Sequence, residues 1–507
     1  MNLQRIIVGL GCFTLFWLSF ACAAEIRPNV LLICIDDLKP TLGCYGDALA
    51  KSPNIDRLAS RGVRFGAAYC NQAVCSPSRN ALMTGLRPQT LGIYDLATHF
   101  RNGAPDAISV AGHFRRNGYD TASLGKIFHT GHGNHDDADS WSVPSWRPKA
   151  SNYALEQSTS STRLRPDGQN RGVATEAADV PDDTYADGQI ATEAIVRLKA
   201  AAKLNSDGGT SAPFFLAVGF LKPHLPFVAP KRYWDLHDRQ SLPLPELQVP
   251  PLGAPTYAPT NSGELRSYAD MPEQGPVDID SSRRLIHGYY AATSYTDAQI
   301  GRVLAALDEL QLRENTIVVL WGDHGWHLGD HGMWCKHSNY EQAARIPLIV
   351  SAPGHASGVA NALVETVDIY PTLAELSGLP APDGIDGRSF GQVLKNANSS
   401  HRDSVTHVYP RNQLLGRAIR TQRYRMVEWK KPGASSTTAE FELYDYQEDP
   451  LESKNLAGDH PEMVQKLLEI LAKQPEAKPS IAAASAKKTP AEQPKKQRNK
   501  KKQSSKV

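Results

Sequence analysis

Two runs constrain this chain more than anything else in it: Asn29-Val-Leu-Leu-Ile-Cys-Ile35 and Thr316-Ile-Val-Val-Leu-Trp321. Both are continuously apolar and β-prone, without the polar alternation of a half-solvated strand. A strand of this kind is covered on both faces, as in a parallel sheet sandwiched between helices. Ile346 to Ser351 reads as a third such strand. Helical patterns lie between them. Asn54 to Ser60 follows Pro53, and Pro77 to Met83 opens with proline near its first turn. From Arg283 to Leu312, apolar residues recur at helical spacing at Leu285, Tyr289, Ala292, Ile300, Val303, Leu304 and Leu307. Strands alternating with helices give an α/β class with a large, mostly parallel sheet.

The rest of the chain divides around that frame. Its 507 residues exceed one simple compact core, so two domains or one large elaborated domain is expected. Residues 1–24 have the order of a secretory signal peptide: Arg5, an apolar run from Ile6 to Phe20, then small residues to Ala24. That run is shorter than the ~20 residues that span a bilayer, and Leu18-Ser19-Phe20-Ala21-Cys22 fits a lipoprotein signal poorly. Export follows, to a periplasmic or extracellular destination, or to a lysosome-like compartment in a eukaryotic cell. No second long apolar stretch predicts stable membrane insertion. Residues 25–395 read as the main domain, 396–475 as a smaller C-terminal α+β subdomain, and 476–507 as a disordered basic tail. Within the subdomain, Arg417 to Trp429 and Phe441 to Tyr446 read as an antiparallel pair, with a helix from Pro461 to Lys473. The polar stretch 144–209 and the Pro-rich stretch 243–276 read as insertion loops over the ligand-binding edge of the sheet.

The net charge of +2 gives no electrostatic case for nucleic acid. Seven cysteines stand at 12, 22, 34, 44, 70, 75 and 335, and export removes the first two. The remaining odd set is too sparse for a disulfide scaffold, so at least one thiol is free or chemically special. Cys34, inside a strand, reads as plain core.

The first two strands end in Asp36-Asp37 and in Gly322-Asp323-His324. Ligands of open α/β sheets bind beyond the carboxyl ends of the strands. Carboxylates gathered there repel one another unless a cation resolves them, and three Asp side chains favour a hard ion such as calcium or magnesium. Either pair alone is as readily a turn cap; two pairs, each after a buried strand, point to metal.

Between the clusters lies Cys75-Ser-Pro-Ser-Arg79, followed by Thr84-Gly85. Cys-x-Pro-x-Arg followed by Thr-Gly is the mark of the formylglycine-dependent sulfatases. The chain resembles that family, and within it the iduronate-2-sulfatase branch. Ile35-Asp-Asp-Leu38, Gln72-Ala-Val-Cys75, Gly125-Lys-Ile-Phe-His129, Pro213-Phe-Phe-Leu-Ala-Val-Gly219, Lys222-Pro-His-Leu-Pro-Phe227 and Gly322-Asp-His-Gly-Trp326 through Lys336 carry the likeness, with weaker support at Leu443-Tyr-Asp445 and Asp449-Pro-Leu-Glu452.

The resemblance implies an alkaline-phosphatase-like (sulfatase) fold and hydrolysis of sulfate esters, those of a sulfated sugar or polysaccharide. It implies Cys75 oxidised to formylglycine by a maturase during export. One hydroxyl of the hydrated aldehyde attacks sulfur and the other expels sulfate, a step that a thiol cannot perform cheaply. Asp36, Asp37, Asp323, His324 and the modified Cys75 resemble the ligands of one Ca2+ ion, His324 being a nitrogen where calcium prefers oxygen. Arg79 resembles the residue that holds the nucleophile. Lys126 and His129 resemble the pair that supports the diol, and His224 with Lys336 the pair that binds sulfate and assists the leaving group. Outside this pattern Lys126 reads as a surface lysine and His129 as a packed loop histidine.

His327 and His331 are extra imidazoles near Asp323, fitting a turn or a supporting position; Cys335 reads as structural; Asp95 and His99 are expected near the substrate pocket. Two other readings compete: a phosphomonoesterase or phosphodiesterase of the alkaline phosphatase group, which usually carries Thr or Ser as nucleophile, and a non-catalytic sulfoglycan-binding protein that retains the Cys75 thiol.

Overall fold

The computed structural model describes residues 27–165, 170–206, 212–380 and 383–482. The expected signal peptide 1–24 and the tail beyond residue 482 lie outside the described residues.

Seven strands build the main sheet: β1 (Asn29–Ile35), β2 (Val63–Tyr69), β3 (Asp120–Gly125), β4 (Phe214–Phe220), β5 (Thr316–Gly322), β6 (Arg345–Ser351) and β7 (Gly358–Glu365). Their order is β7-β2-β6-β5-β1-β4-β3. β1 pairs in parallel with both β4 and β5, whereas β6 is antiparallel to both β2 and β5. Six strands therefore share one direction and β6 alone is reversed. The expected third strand is present, as the one that makes the sheet mixed.

The two faces of β1 enter different cores. Val30, Leu32 and Cys34 join one cluster with Leu82, Met83, Tyr370 and Leu373. Leu31, Ile33 and Ile35 join another with Ile190, Leu198, Ile300 and Leu304. Helices α2 (Cys75–Thr84) and α5 (Ile369–Leu376) cover the first face, and α1 (Pro53–Ser60), α3 (Ala186–Ser206) and α4 (Ile279–Glu309) the second. This double burial is the physical reason for the unbroken apolar runs.

Three expectations need correction. The stretch 144–209 is not all loop: α3 takes 21 of its residues. Its buried stripe includes Ala191 and Ala194 between Ile190 and Leu198, so its apolar periodicity is faint in sequence. Arg417 to Trp429 is not one strand. It is most of two, β9 (Leu414–Arg420) and β10 (Tyr424–Lys430), in a four-stranded antiparallel sheet with β8 (Val405–Arg411) and β11 (Glu440–Asp445). Val464, Leu467 and Leu471 of α6 (Pro461–Leu471) pack on Ile419, Met426 and Leu443 of that sheet. Finally, residues 476–482 are not a free tail. Ala477 is buried, Lys478 N–H donates to Gln89 O and Ile481 N–H to Gly92 O, each at 3.0 Å. Among the described residues, no helix is long and apolar enough to cross a membrane.

Candidate active site

Parallel strands bring their carboxyl ends to one edge, and that edge collects the residues with chemistry. Asp36 and Asp37 follow β1, Lys126 follows β3, Lys222 and His224 follow β4, and Asp323 and His324 follow β5. The two acidic turns are stitched together: Asp323 N–H donates to Ile35 O at 3.1 Å, and Asp37 N–H to Asp323 Oδ1 at 2.9 Å. Asp37 holds a left-handed φ of 62° to make this turn.

Cys75 is the first residue of α2. Extended Val74 delivers it to the edge, Pro77 occupies the first turn where no N–H is needed, and left-handed Gly85 ends the helix. Its Sγ lies 3.4 Å from His324 Nε2 and 3.7 Å from Lys126 Nζ. Burial, with the nearby Asp36 charge, pushes the Cys75 thiol up to about 12. Unmodified, it would hardly ionise near neutral pH.

One helical turn on, Arg79 lies wholly buried beneath this group. Its Nε donates to Asp323 Oδ2 at 3.0 Å, its Nη2 to Asp36 Oδ1 at 3.1 Å, and its Nη1 to the carbonyls of Lys126 and Ile127. Lys126 Nζ also pairs with Asp36. Burial, which opposes the charge on Asp36, is outweighed by Lys126, His224 and Arg79, so this carboxyl stays well below its usual range. Asp37 goes the other way: burial carries it well above that range despite Lys336. Burial raises Asp323 too.

Lys336 Nζ donates to both Asp37 oxygens at 3.1 Å and forms an ion pair with Glu264 at 2.8 Å. His224 Nε2 lies 3.1 Å from Glu264 and 3.9 Å from Asp37. Burial, then Lys336, pull His224 down to about 4. Glu264 is the residue that sequence reasoning missed. It sits on the four-residue helix Gly263–Arg266 inside the Pro-rich segment, with no local pattern to mark it.

On the loop after Lys126, His129 Nε2 lies 3.2 Å from His132 Nδ1, its buried Nδ1 has no hydrogen-bond partner, and burial, then the Lys126 charge, pull it down to about 3. Asp95 accepts from the N–H groups of Ala97 and Thr98 and caps its own turn. His99 stacks on His135 at 4.1 Å, and neither Asp95 nor His99 lines the cavity beside Lys126 and His224. His327 pairs with Asp330 and with Ser338 Oγ, and His331 with Leu451 O. Cys335 is buried in an apolar cluster. Among the described residues all five cysteines are free.

The cluster fits a divalent cation on its own chemistry. Asp36, Asp37, Asp323 and Glu264 set four carboxylates against three fixed cations, Arg79, Lys126 and Lys336. Single oxygens of Asp36 and Asp323 lie within 4.8 Å of Cys75 Sγ and a His324 nitrogen, and the same spacing joins Asp36, Asp37, Cys75 and His224. His324 Nδ1 is 3.0 Å from Gly325 O, so a proton on Nδ1 leaves the Nε2 lone pair facing the cluster.

Comparison with known proteins gives the family of the chain. The sulfatase family model matches residues 28–379. The chain belongs to the sulfatase family. A second model, described as the C-terminal part of N-sulphoglucosamine sulphohydrolase, matches residues 329–477 of this sulfatase. It is 35% identical to iduronate 2-sulfatase of Mus musculus over 90% of this chain and 95% of that protein. Identity to the Homo sapiens enzyme is also 35%, over 85% and 91% of the two chains. A sulfatase of Formosa agariphila is 32% identical over 85% and 83%. Among solved structures, one in complex with its substrate D-glucosamine-2-N,6-O-disulfate superposes with a TM-score of 0.68 at 21% identity, covering 88% of this chain and 97% of that one. The phosphonate monoester hydrolase of Silicibacter pomeroyi superposes at 0.70 and 23%, covering 88% and 95%. These structural likenesses establish the shared alkaline-phosphatase-like fold.

Proposed function

We propose that this sulfatase hydrolyses sulfate esters of a sulfated sugar, with 2-O-sulfated uronates as the leading class, using Cys75 as formylglycine and one Ca2+ ion. The observation that carries the reading is the position of Cys75 Sγ, 3.4 Å from His324 Nε2 and 3.7 Å from Lys126 Nζ, at the mouth of a buried carboxylate cluster. Its 35% identity to iduronate 2-sulfatases over most of both chains supports the sugar class.

Asp36, Asp37, Asp323 and His324 would hold the metal. A metal held there would supply positive charge that makes a hydroxyl on residue 75 more acidic and offsets the charge of the sulfate. Arg79 fixes Asp36 and Asp323 in one orientation through its two-sided fork, so the ligand oxygens need no reorganisation. Lys126, beside residue 75, holds the cationic end of the nucleophile's surroundings. Lys336 and His224 face the same edge from the opposite loops, where Nζ can neutralise sulfate charge and an N–H at His224 Nε2 can donate a hydrogen bond to the departing sugar oxygen. A hard divalent ion fits the oxygen-rich donor set, and the resemblance to formylglycine-dependent sulfatases points to calcium among them. A maturase and an exported location complete the reading.

The test is turnover of an aryl sulfate and of a 2-O-sulfated uronic acid glycoside, beside the matched aryl phosphate and aryl phosphonate. Sulfate release by the wild type and its loss in Cys75→Ala support the reading. Faster phosphate or phosphonate hydrolysis, or sulfate release that survives Cys75→Ala, overturns it.

A further inference from the structure

A cavity of about 220 Å³ opens from the catalytic edge, with Asp36, Lys126 and His224 on its wall. The same wall contains Tyr153 and Arg171, from the polar stretch 144–209, and Tyr268. The cavity is smaller than the ~300–1,000 Å³ common for drug-sized ligands, so it suits one sugar ring rather than a polymer segment.

Arg171 is unusual within this wall. Its guanidinium carbon lies 4.9 Å from the centroid of the Tyr268 ring, and its Nη1 donates to the Tyr268 hydroxyl. Tyr268 is fully buried. The platform fixes the direction of the guanidinium without neutralising it, because a phenol carries no charge at ordinary pH. Among the described residues, Arg171 has no carboxylate partner. The acids on neighbouring segments are engaged elsewhere: Asp270 with Arg284 at 2.6 Å, and Glu264 with Lys336 and His224. By contrast, Arg163, on the other strand of the same short hairpin, is paired with Glu273. An oriented guanidinium with no carboxylate partner among the described residues, on a substrate-sized cavity, suits a carboxylate or sulfate.

We propose that Arg171, set by Tyr268, binds a second anionic group on the substrate, a carboxylate or a second sulfate on the ring that carries the scissile ester. This deepens, and rests on, the sulfatase reading above. Arg171 thereby makes the enzyme select doubly anionic sugars over simple sulfate esters, with the reacting sulfate held at Lys126, His224 and Lys336 and the other anion held across the cavity.

The experiment compares wild type, Arg171→Gln, Arg171→Lys and Tyr268→Phe on four substrates: 4-methylumbelliferyl sulfate, a 2-O-sulfated uronic acid glycoside, the same glycoside with its carboxyl reduced to an alcohol, and a 6-O-sulfated glucosamine carrying an N-sulfate. The readout is each kcat/KM relative to that for the aryl sulfate. For one of the two dianionic sugars, this ratio is expected to fall about 10- to 100-fold in Arg171→Gln, chiefly through KM, as for loss of a charge-assisted contact. Arg171→Lys recovers part of it, and Tyr268→Phe lowers it less. A fall for the uronate that is absent from its reduced form assigns the carboxylate; a fall for the disulfated glucosamine assigns the second sulfate. Unchanged ratios for both dianionic sugars in Arg171→Gln overturn the inference while leaving the sulfatase reading intact. A wild type that releases sulfate from none of the four overturns both.

Discussion

Arg79 and Asp323 form an ion pair that water does not reach: Nε donates to Oδ2 at 3.0 Å, and both side chains are completely buried. The second arm of the same guanidinium holds Asp36, so one side chain ties the end of β1 to the end of β5. Replacing Arg79 by Met leaves both carboxylates buried without this fork, and breaking such a pair costs about 3–5 kcal/mol. Denaturant unfolding is expected to report that loss. Arg79→Lys keeps the charge but cannot reach both acids in one plane, so it should regain part of the stability while sulfatase activity stays down by ~100-fold or more. Full activity in Arg79→Lys would show that the fork has no role in aligning the acids.

Removing divalent metal is expected to abolish sulfate release and to lower stability, because burial disfavours the ionised forms of Asp37 and Asp323. Adding calcium back to 100 times its Kd should restore about 2.7 kcal/mol, the mass-action gain of a ligand bound only by the folded state. Asp37→Asn should blunt that response. Chelator-treated protein that melts at the same temperature with and without calcium would rule out a resident ion at this cluster.

Much of this centre was legible because parallel topology turns sequence-distant strand ends into neighbours. Asp36 and Asp323 are 287 positions apart in number, yet each stands directly after an unbroken apolar strand, and parallel pairing of β1 with β5 does the rest. Glu264 was not legible. Its four-residue helix has no periodicity, and only its ion pair with Lys336 reveals it. α3 was hidden for another reason: alanines bury little area, so its core stripe scarcely differs from its solvated face. For Asp95 and His99 the structure adds only local contacts, a turn cap and stacking on His135, which the sequence does not reveal.

The segment after α6 is a clasp, and two truncations should separate it from the chain beyond. Glu476 reaches Arg417 at 2.7 Å and Lys430 at 3.0 Å, while Tyr94 OH donates to Lys478 O at 2.7 Å. Ending the protein at residue 474 removes these bonds and uncovers the site of buried Ala477. Glu476 is half exposed, which discounts its ion pairs, so a total loss of ~1–3 kcal/mol is expected. Ending at residue 482 keeps every one of these contacts and serves as the reference against which the shorter protein is compared. Equal midpoints for the two truncations would mean that the clasp contributes nothing.

His407, on β8, sets a pH limit that is independent of the catalytic edge. Its Nε2 lies 3.1 Å from Asn339 O, and its buried Nδ1 has no partner. Burial first, then the Arg425 charge, pull it down to about 3, against smaller opposing effects of the Asn339 carbonyl and Glu341. The unfolded chain takes up this proton near pH 6.5. Between about pH 6.5 and 3 the unfolded state therefore binds one more proton than the folded state, and stability falls as pH falls. The slope from this one group has a ceiling of ~1.4 kcal/mol per pH unit. His407→Gln keeps an N–H donor for Asn339 O but cannot titrate. At neutral pH the variant is expected to be no more stable than the wild type, and to gain on it steadily as the buffer is taken from pH 6.5 toward 4. Urea unfolding across that range measures the difference, and parallel slopes for the two proteins would show that His407 is protonated without cost in the folded state.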